Sequence, residues 1–164
     1  MEYKCNLPYP EVKVERKNIE YAKMLSNAYA GNISEDTAIH LYMYQSIVLD
    51  NEVSNILEKI ADVEMHHLEL LAKAIYLLGL DPTYKSYSPD KYFSSEYVRY
   101  QKNLDDILEI NIISEEIAID NYEKLVNIID DKYIKELLNR IILDEKVHLD
   151  IFRKLKKTNK QFIS

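Results

Sequence analysis

Apolar residues recur along the chain at intervals of three and four, and with only two Gly and four Pro in 164 residues little interrupts them. That spacing places the apolar positions on one side of an α-helix. Four long runs are predicted. The first, about 15–49, carries Ala28, Gly31, Glu35, Ala38, Tyr42, Gln45 and Leu49 on one stripe, with Gly31 either a local bend or a close helix contact. The second, about 51–78, carries Val53, Leu57, Ile60, Glu64, His67, Leu71, Ala74 and Leu78. Gly79 ends it and Asp81-Pro82 prevents its resumption. From Leu80 to about Ser95 the chain turns polar, with Pro82, Pro89, several Ser and the tyrosines Tyr84, Tyr87 and Tyr92. Extended at ~3.3 Å per residue, this stretch can return along a helix of ~30 Å, so it reads as a crossover within one unit. The third run, about 97–129, has Leu104, Leu108, Asn111, Glu115, Ala118, Tyr122, Leu125 and Ile129 inward; the fourth, about 132–157, has Ile134, Leu138, Ile141, Glu145, His148, Phe152 and Leu155. The predicted fold is all-α.

These stripes are not purely apolar. Glu35, Glu64, His67, Glu115, Glu145 and His148 stand where the pattern demands apolar groups. A bare buried carboxylate costs several kcal/mol, so each needs a proton, a cationic partner or a metal. The intruders are also ordered. Glu64-Met65-His66-His67 in the second run and Glu145-Lys146-Val147-His148 in the fourth each put a Glu and a His three apart, on one helix face. Glu35 lies 29 residues before Glu64, and Glu115 lies 30 before Glu145. Both open the pattern Glu, six residues, Tyr, with Ala-Ile at the same offset. The chain is therefore an internal duplication shifted by about 80 residues. The midpoints fall at Leu49-Asp50 and at Asp130, where the apolar pattern breaks. Hairpins turning there bring four carboxylates and two imidazoles to one level. One Glu from each of two helices and a Glu-x-x-His from each of the others is the ligand set of a carboxylate-bridged dimetal centre in a four-helix bundle.

On these motifs the chain resembles the ferritin-like proteins, and among them the rubrerythrins and manganese catalases. The resemblance runs through Glu35 with Tyr42-Met43-Tyr44-Gln45-Ser46, through Ile60-Ala61-Asp62-Val63-Glu64-Met65-His66-His67-Leu68-Glu69-Leu70, and through Asp144-Glu145-Lys146-Val147-His148; it covers about 20–155. It implies a ferritin-like four-helix bundle of two duplicated helical hairpins joined by the long crossover. Two divalent ions are implied, iron or manganese, with zinc able to substitute. Glu35 and Glu115 are expected as terminal carboxylates, Glu64 and Glu145 as bridges, and His67 and His148 as one nitrogen ligand each. Tyr42 and Tyr122, two turns beyond Glu35 and Glu115, are expected either to donate hydrogen bonds to the cluster or to pack as core aromatics. Asp144 is placed to orient a histidine across the bundle, on one side only, because its counterpart is Val63. His40 and His66 point away from the inward stripe.

The implied chemistry is redox, on hydrogen peroxide or dioxygen: a rubrerythrin-like peroxidase fed by an external electron donor, or a catalase that needs none. Two features depart from rubrerythrins. No Cys-x-x-Cys pair follows the bundle, and Ala118 stands where rubrerythrins carry an extra carboxylate. Manganese catalases are longer, and their fourth-helix Glu can act without touching metal. A ferroxidase in iron storage and a structural, coat-type bundle are the alternatives.

Composition narrows the setting. A net charge of −7 disfavours nucleic acid and anionic membranes as partners. Two divalent ions would bring −7 to −3 and relieve the repulsion among four core carboxylates, so metal should stabilise the fold. The single Cys5 excludes an internal disulfide and a Cys-rich metal site, and Met1 to Pro10 lack a secretory pattern. No window resembles a membrane span. A cytoplasmic homo-oligomer, dimeric in its simplest form, is the expectation.

Overall fold

The computed structural model describes residues 2–49 and 52–163, without the side chains of 160–163. Asp50 and Asn51, where the first hairpin turn is predicted, lie outside the described residues. The helices are α1 (Ile19–Ala30), α2 (Glu35–Val48), α3 (Glu52–Leu77), α4 (Leu104–Ile128) and α5 (Lys132–Ile163). α2 packs chiefly on α3 and α4 chiefly on α5, which makes the two predicted hairpins. The architecture is the ferritin-like bundle.

Where one helix is predicted over 15–49, the chain forms two. Residues 2–17 form no helix, and Asn18 starts α1 by accepting from the backbone N–H groups of Glu20 and Tyr21. α1 stops at Gly31, where a Cβ would come within 2.3 Å of Asn27 Oδ1, so only Gly allows this exit. Ser34 then caps α2, its hydroxyl accepting from the Thr37 N–H. The break makes Glu35 the first residue of α2 instead of a mid-helix position.

The third helix starts at Leu104, not near 97, because Asn103 caps it through the N–H groups of Asp105 and Asp106. The last helix runs to Ile163, six residues past its predicted end at 157. Within the crossover, Lys85–Tyr87 (β1) pairs antiparallel with Asp90–Tyr92 (β2), a small departure from an all-helical chain. The hairpin docks on α1: the Tyr87 N–H donates to Ser26 Oγ at 2.9 Å, and Tyr29 and Tyr84 stack at 5.6 Å.

Two apolar clusters fill the bundle. One gathers Leu25, Leu71, Leu78, Ile134 and Ile141; the other gathers Leu57, Ile60, Ile107, Leu108 and Phe152. Along α3 and α5 the Glu-x-x-His pairs fall between the two, so the polar layer is closed off by hydrocarbon at both ends.

Candidate metal centre

Each of the six predicted side chains is at most 4% exposed, and the structure brings all six together. They form two overlapping groups: Glu35, Glu64, His67 and Glu145, and Glu64, Glu115, Glu145 and His148. Within each group the nearest donor atoms lie within 4.8 Å of one another. Opposite ligands of a small divalent ion, each at about 2.1 Å, span ~4.2 Å, so small side-chain rotations would close either group on an ion.

The arrangement has near-twofold symmetry. His67 Nδ1 lies 3.0 Å from Glu64 Oε2, 3.1 Å from Glu145 Oε1 and 3.6 Å from Glu35 Oε2. His148 Nδ1 lies 3.0 Å from Glu64 Oε1, 3.3 Å from Glu145 Oε2 and 3.9 Å from Glu115 Oε1. Glu64 and Glu145 thus offer one oxygen to each half, while Glu35 and Glu115 serve one half each. The symmetry extends to the tyrosines: Tyr42 donates to Glu115, and Tyr122 donates to Glu35, each across the bundle.

Both imidazoles turn Nδ1 inward and Nε2 outward. His148 Nε2 lies 2.9 Å from the Tyr3 carbonyl oxygen, which can only accept, so Nε2 carries the proton. His67 Nε2 lies 3.0 Å from Asp144 Oδ2, where an anionic carboxylate imposes the same tautomer. In its neutral form each ring therefore presents a lone pair to three carboxylates, the orientation a metal ligand needs. Glu64 Oε1 and Glu145 Oε1, though close to a ring nitrogen, accept no hydrogen bond. These unsatisfied buried oxygens are what bound cations would satisfy, so the donor set fits two ions.

Without metal, protons do the balancing. Burial, then repulsion from Glu145 and Glu64, raises the pKa of Glu35 and Glu115 well above the usual carboxylate range, so both hold protons. Burial opposes charge on His67 and His148 too, but the surrounding carboxylates outweigh it and keep both rings protonated. Burial likewise works against ionised Glu64 and Glu145, where the two imidazoliums prevail and hold both pKa values down. The metal-free core is then neutral, with two carboxylates facing two imidazoliums. Two divalent ions balance four carboxylates and two neutral rings, so binding them would displace protons from Glu35, Glu115, His67 and His148, the groups whose pKa values are raised. Calorimetric titration with divalent manganese in buffers of differing ionisation heat should detect this release, and affinity should climb steeply with pH. Release of fewer than two protons would contradict the scheme.

The sequence marked Asp144 as the group that orients one histidine, and Asp144 lies 3.0 Å from His67 Nε2; it marked neither what holds Asp144 nor what orients His148. Residues 2–18 run as a strap along α5, from Tyr3 beside His148 to Glu15, whose N–H donates to Asp131 Oδ2 at the helix start. Asp144 accepts from Tyr9 Oη at 2.5 Å, from the Cys5 N–H at 2.7 Å and from Arg140 Nη1 at 2.6 Å. Arg140 in turn donates to the Cys5 and Leu7 carbonyls and lies 4.1 Å from the Tyr9 ring centre. Although burial opposes its ionisation, hydrogen bonds from His67, Tyr9 and Arg140 bring the Asp144 pKa down to about 2. One signal was available: Leu137, Arg140 and Asp144 form a second stripe on the fourth helix with two opposite charges four apart. The one-sided role expected of Asp144 has a partner after all, because the Tyr3 carbonyl serves His148 where a side chain serves His67. Asp144→Asn, which keeps the shape and removes the charge, should weaken metal binding about 10- to 100-fold in a competition titration. His40 and His66 are 54% and 41% exposed and stay outside the cluster, as the stripe predicts.

Fold and site together define a ferritin-like helical bundle with a buried carboxylate–histidine cluster fit for two metal ions. The Rubrerythrin family profile matches residues 9–156, and the chain belongs to that family. "Probable manganese catalase" of Clostridium acetobutylicum is 28% identical over 165 residues, spanning 87% of this chain and 73% of the relative. "Protein CotJC" of Bacillus subtilis strain 168 is 29% identical over 172 residues, spanning 92% of this chain and 90% of the relative. Among solved structures, KatB, a manganese catalase from Anabaena PCC7120, matches with a TM-score of 0.88 over 98% of this chain and 81% of that chain; at 23% identity the likeness is one of fold.

Proposed function

We propose that this protein is a dimetal redox enzyme that disproportionates hydrogen peroxide, with manganese the first metal to test and iron the second. The observation that carries this reading is the pair of inward Nδ1 atoms, each facing three carboxylates, with Glu64 and Glu145 shared between them. Two ions held a few ångströms apart can take both oxygens of a peroxide and exchange electrons in pairs. Glu35 and Glu115 cap the two ends of the cluster; Tyr122 holds the Glu35 oxygen turned away from His67, and Tyr42 holds the Glu115 oxygen that faces His148. The apolar clusters cover the two ends of the polar layer.

Ala118 favours catalase over peroxidase chemistry. Where the family resemblance predicts a fifth carboxylate, this chain has a methyl group on the wall of a cavity that reaches the four Glu. Similarity to a probable manganese catalase points the same way. In the test, protein loaded with manganese or iron is given hydrogen peroxide without reductant under an oxygen electrode. One dioxygen should appear for every two peroxides consumed. Consumption only with added reductant would mean a peroxidase. No consumption with either metal would leave the cluster a structural or ferroxidase site.

A further inference from the structure

A cavity of about 160 Å³ lies between the first half of α2 and the middle of α4. Its outer rim includes the exposed side chains of Ile113 and Ile117, and its floor is Glu35, Glu64, Glu115 and Glu145. Between rim and floor the walls are mainly hydrocarbon, including Ala38, Leu41, Ile110 and Ala118. Ala38 and Ala118 occupy duplicated positions, each three residues after a cluster carboxylate. Two methyl groups where larger side chains would close the gap leave the way to the floor open.

That space exceeds what hydrogen peroxide requires. A water occupies ~30 Å³ of liquid, so a peroxide fills roughly the room of two, whereas an aliphatic cavity near 150 Å³ stays dry and takes a molecule as large as benzene. We propose that the site also accepts small alkyl hydroperoxides, the peroxide end at the carboxylate floor and the alkyl group against Ala38, Leu41, Ile110 and Ala118. This rests on the peroxide reading above and names a second substrate class for the same centre.

The reaction balances without a new reductant. The O–O bond of ROOH breaks, taking two electrons and two protons to give ROH and water. Hydrogen peroxide supplies both pairs and leaves as dioxygen, so ROOH and H₂O₂ become ROH, H₂O and O₂. The probe is tert-butyl hydroperoxide, an alkyl hydroperoxide about the size of benzene. Oxygen evolution from hydrogen peroxide alone is measured first, which judges the underlying reading on its own. With both peroxides present, tert-butanol should form, one per dioxygen above the hydrogen peroxide background. Evolution from hydrogen peroxide with no alcohol formed overturns the second substrate class and leaves the first reading standing.

A binding measurement needs no turnover. Calorimetric titration of the metal-free protein with tert-butanol should show saturable binding that Ala118→Leu weakens at least about tenfold, as occlusion of a hydrophobic pocket does. Ala38→Leu fills the same space from the opposite helix and should do likewise if the Ala118 variant folds poorly. The loaded Ala118→Leu protein should lose at least about tenfold more alcohol formation than oxygen evolution from hydrogen peroxide. Absence of saturable binding, or equal losses of both activities, would overturn the assignment.

Discussion

Glu64→Ala should leave a folded protein that binds fewer than one metal ion per chain and has lost at least about 1000-fold in peroxide turnover. Glu64, like Glu145, is shared by both halves, with one oxygen 3.0 Å from His67 Nδ1 and the other 3.0 Å from His148 Nδ1. Its loss removes a carboxylate from each ligand group, where loss of Glu35 or Glu115 depletes only one. Charge stabilisation by a metal is worth several kcal/mol in a transition state, and each 1.36 kcal/mol is tenfold in rate, which sets the scale. The fold should survive because the cluster can rebalance: repulsion from Glu64 helps keep Glu35 and Glu115 protonated, and without it their pKa values fall toward normal and a carboxylate replaces the missing charge. Met65→Ala, one residue on and 46% exposed, should change neither quantity. Elemental analysis and an oxygen electrode decide the matter, and a variant that retained two ions would remove Glu64 from the ligand set.

Chelation should lower the unfolding temperature by roughly 10 °C or more, and by more at pH 8 than at pH 6. Each ion present at 100 times its dissociation constant stabilises the folded state by ~2.7 kcal/mol, and at this chain length 1 kcal/mol shifts the midpoint by ~2–4 °C. The pH dependence follows from the groups that titrate. In the metal-free fold Glu35, Glu115, His67 and His148 all have pKa values raised above their unfolded values. Their contribution is complete below the unfolded pKa and is lost as pH rises through the folded one. The metal-free protein therefore weakens with rising pH, while the metal-bound protein gains as fewer protons compete for its ligands. Scanning calorimetry with and without chelator at the two pH values tests this; a gap that shrank as pH rose would contradict the protonation scheme.

Much of the centre could be read from local spacing. Glu64 with His67, and Glu145 with His148, face one way because a helix returns to the same side after three or four residues, whatever surrounds it. Their duplication, together with Glu35 and Glu115, supplied the hairpin logic that the packing of α2 on α3 and α4 on α5 bears out. The breaks were harder to read. Gly31 read as a bend or a close contact, yet it ends a helix, because whether a long helix absorbs a Gly depends on whether a cap such as Ser34 can restart it.

The sequence alone determined which six side chains share a level, because helical periodicity and duplication are properties of the chain taken a few residues at a time. Only the tertiary structure decided how that level is tuned: which nitrogen of each imidazole faces inward, that the strap of residues 2–18 sets it directly for His148 and by holding Asp144 for His67, and that a cavity opens between α2 and α4. The physical reason is distance along the chain. The Tyr3 carbonyl that orients His148 is 145 residues away and is a backbone group every residue possesses, so no side chain marks it. The cavity, likewise, is a gap between two helices, and nothing in either helix records how closely the other approaches.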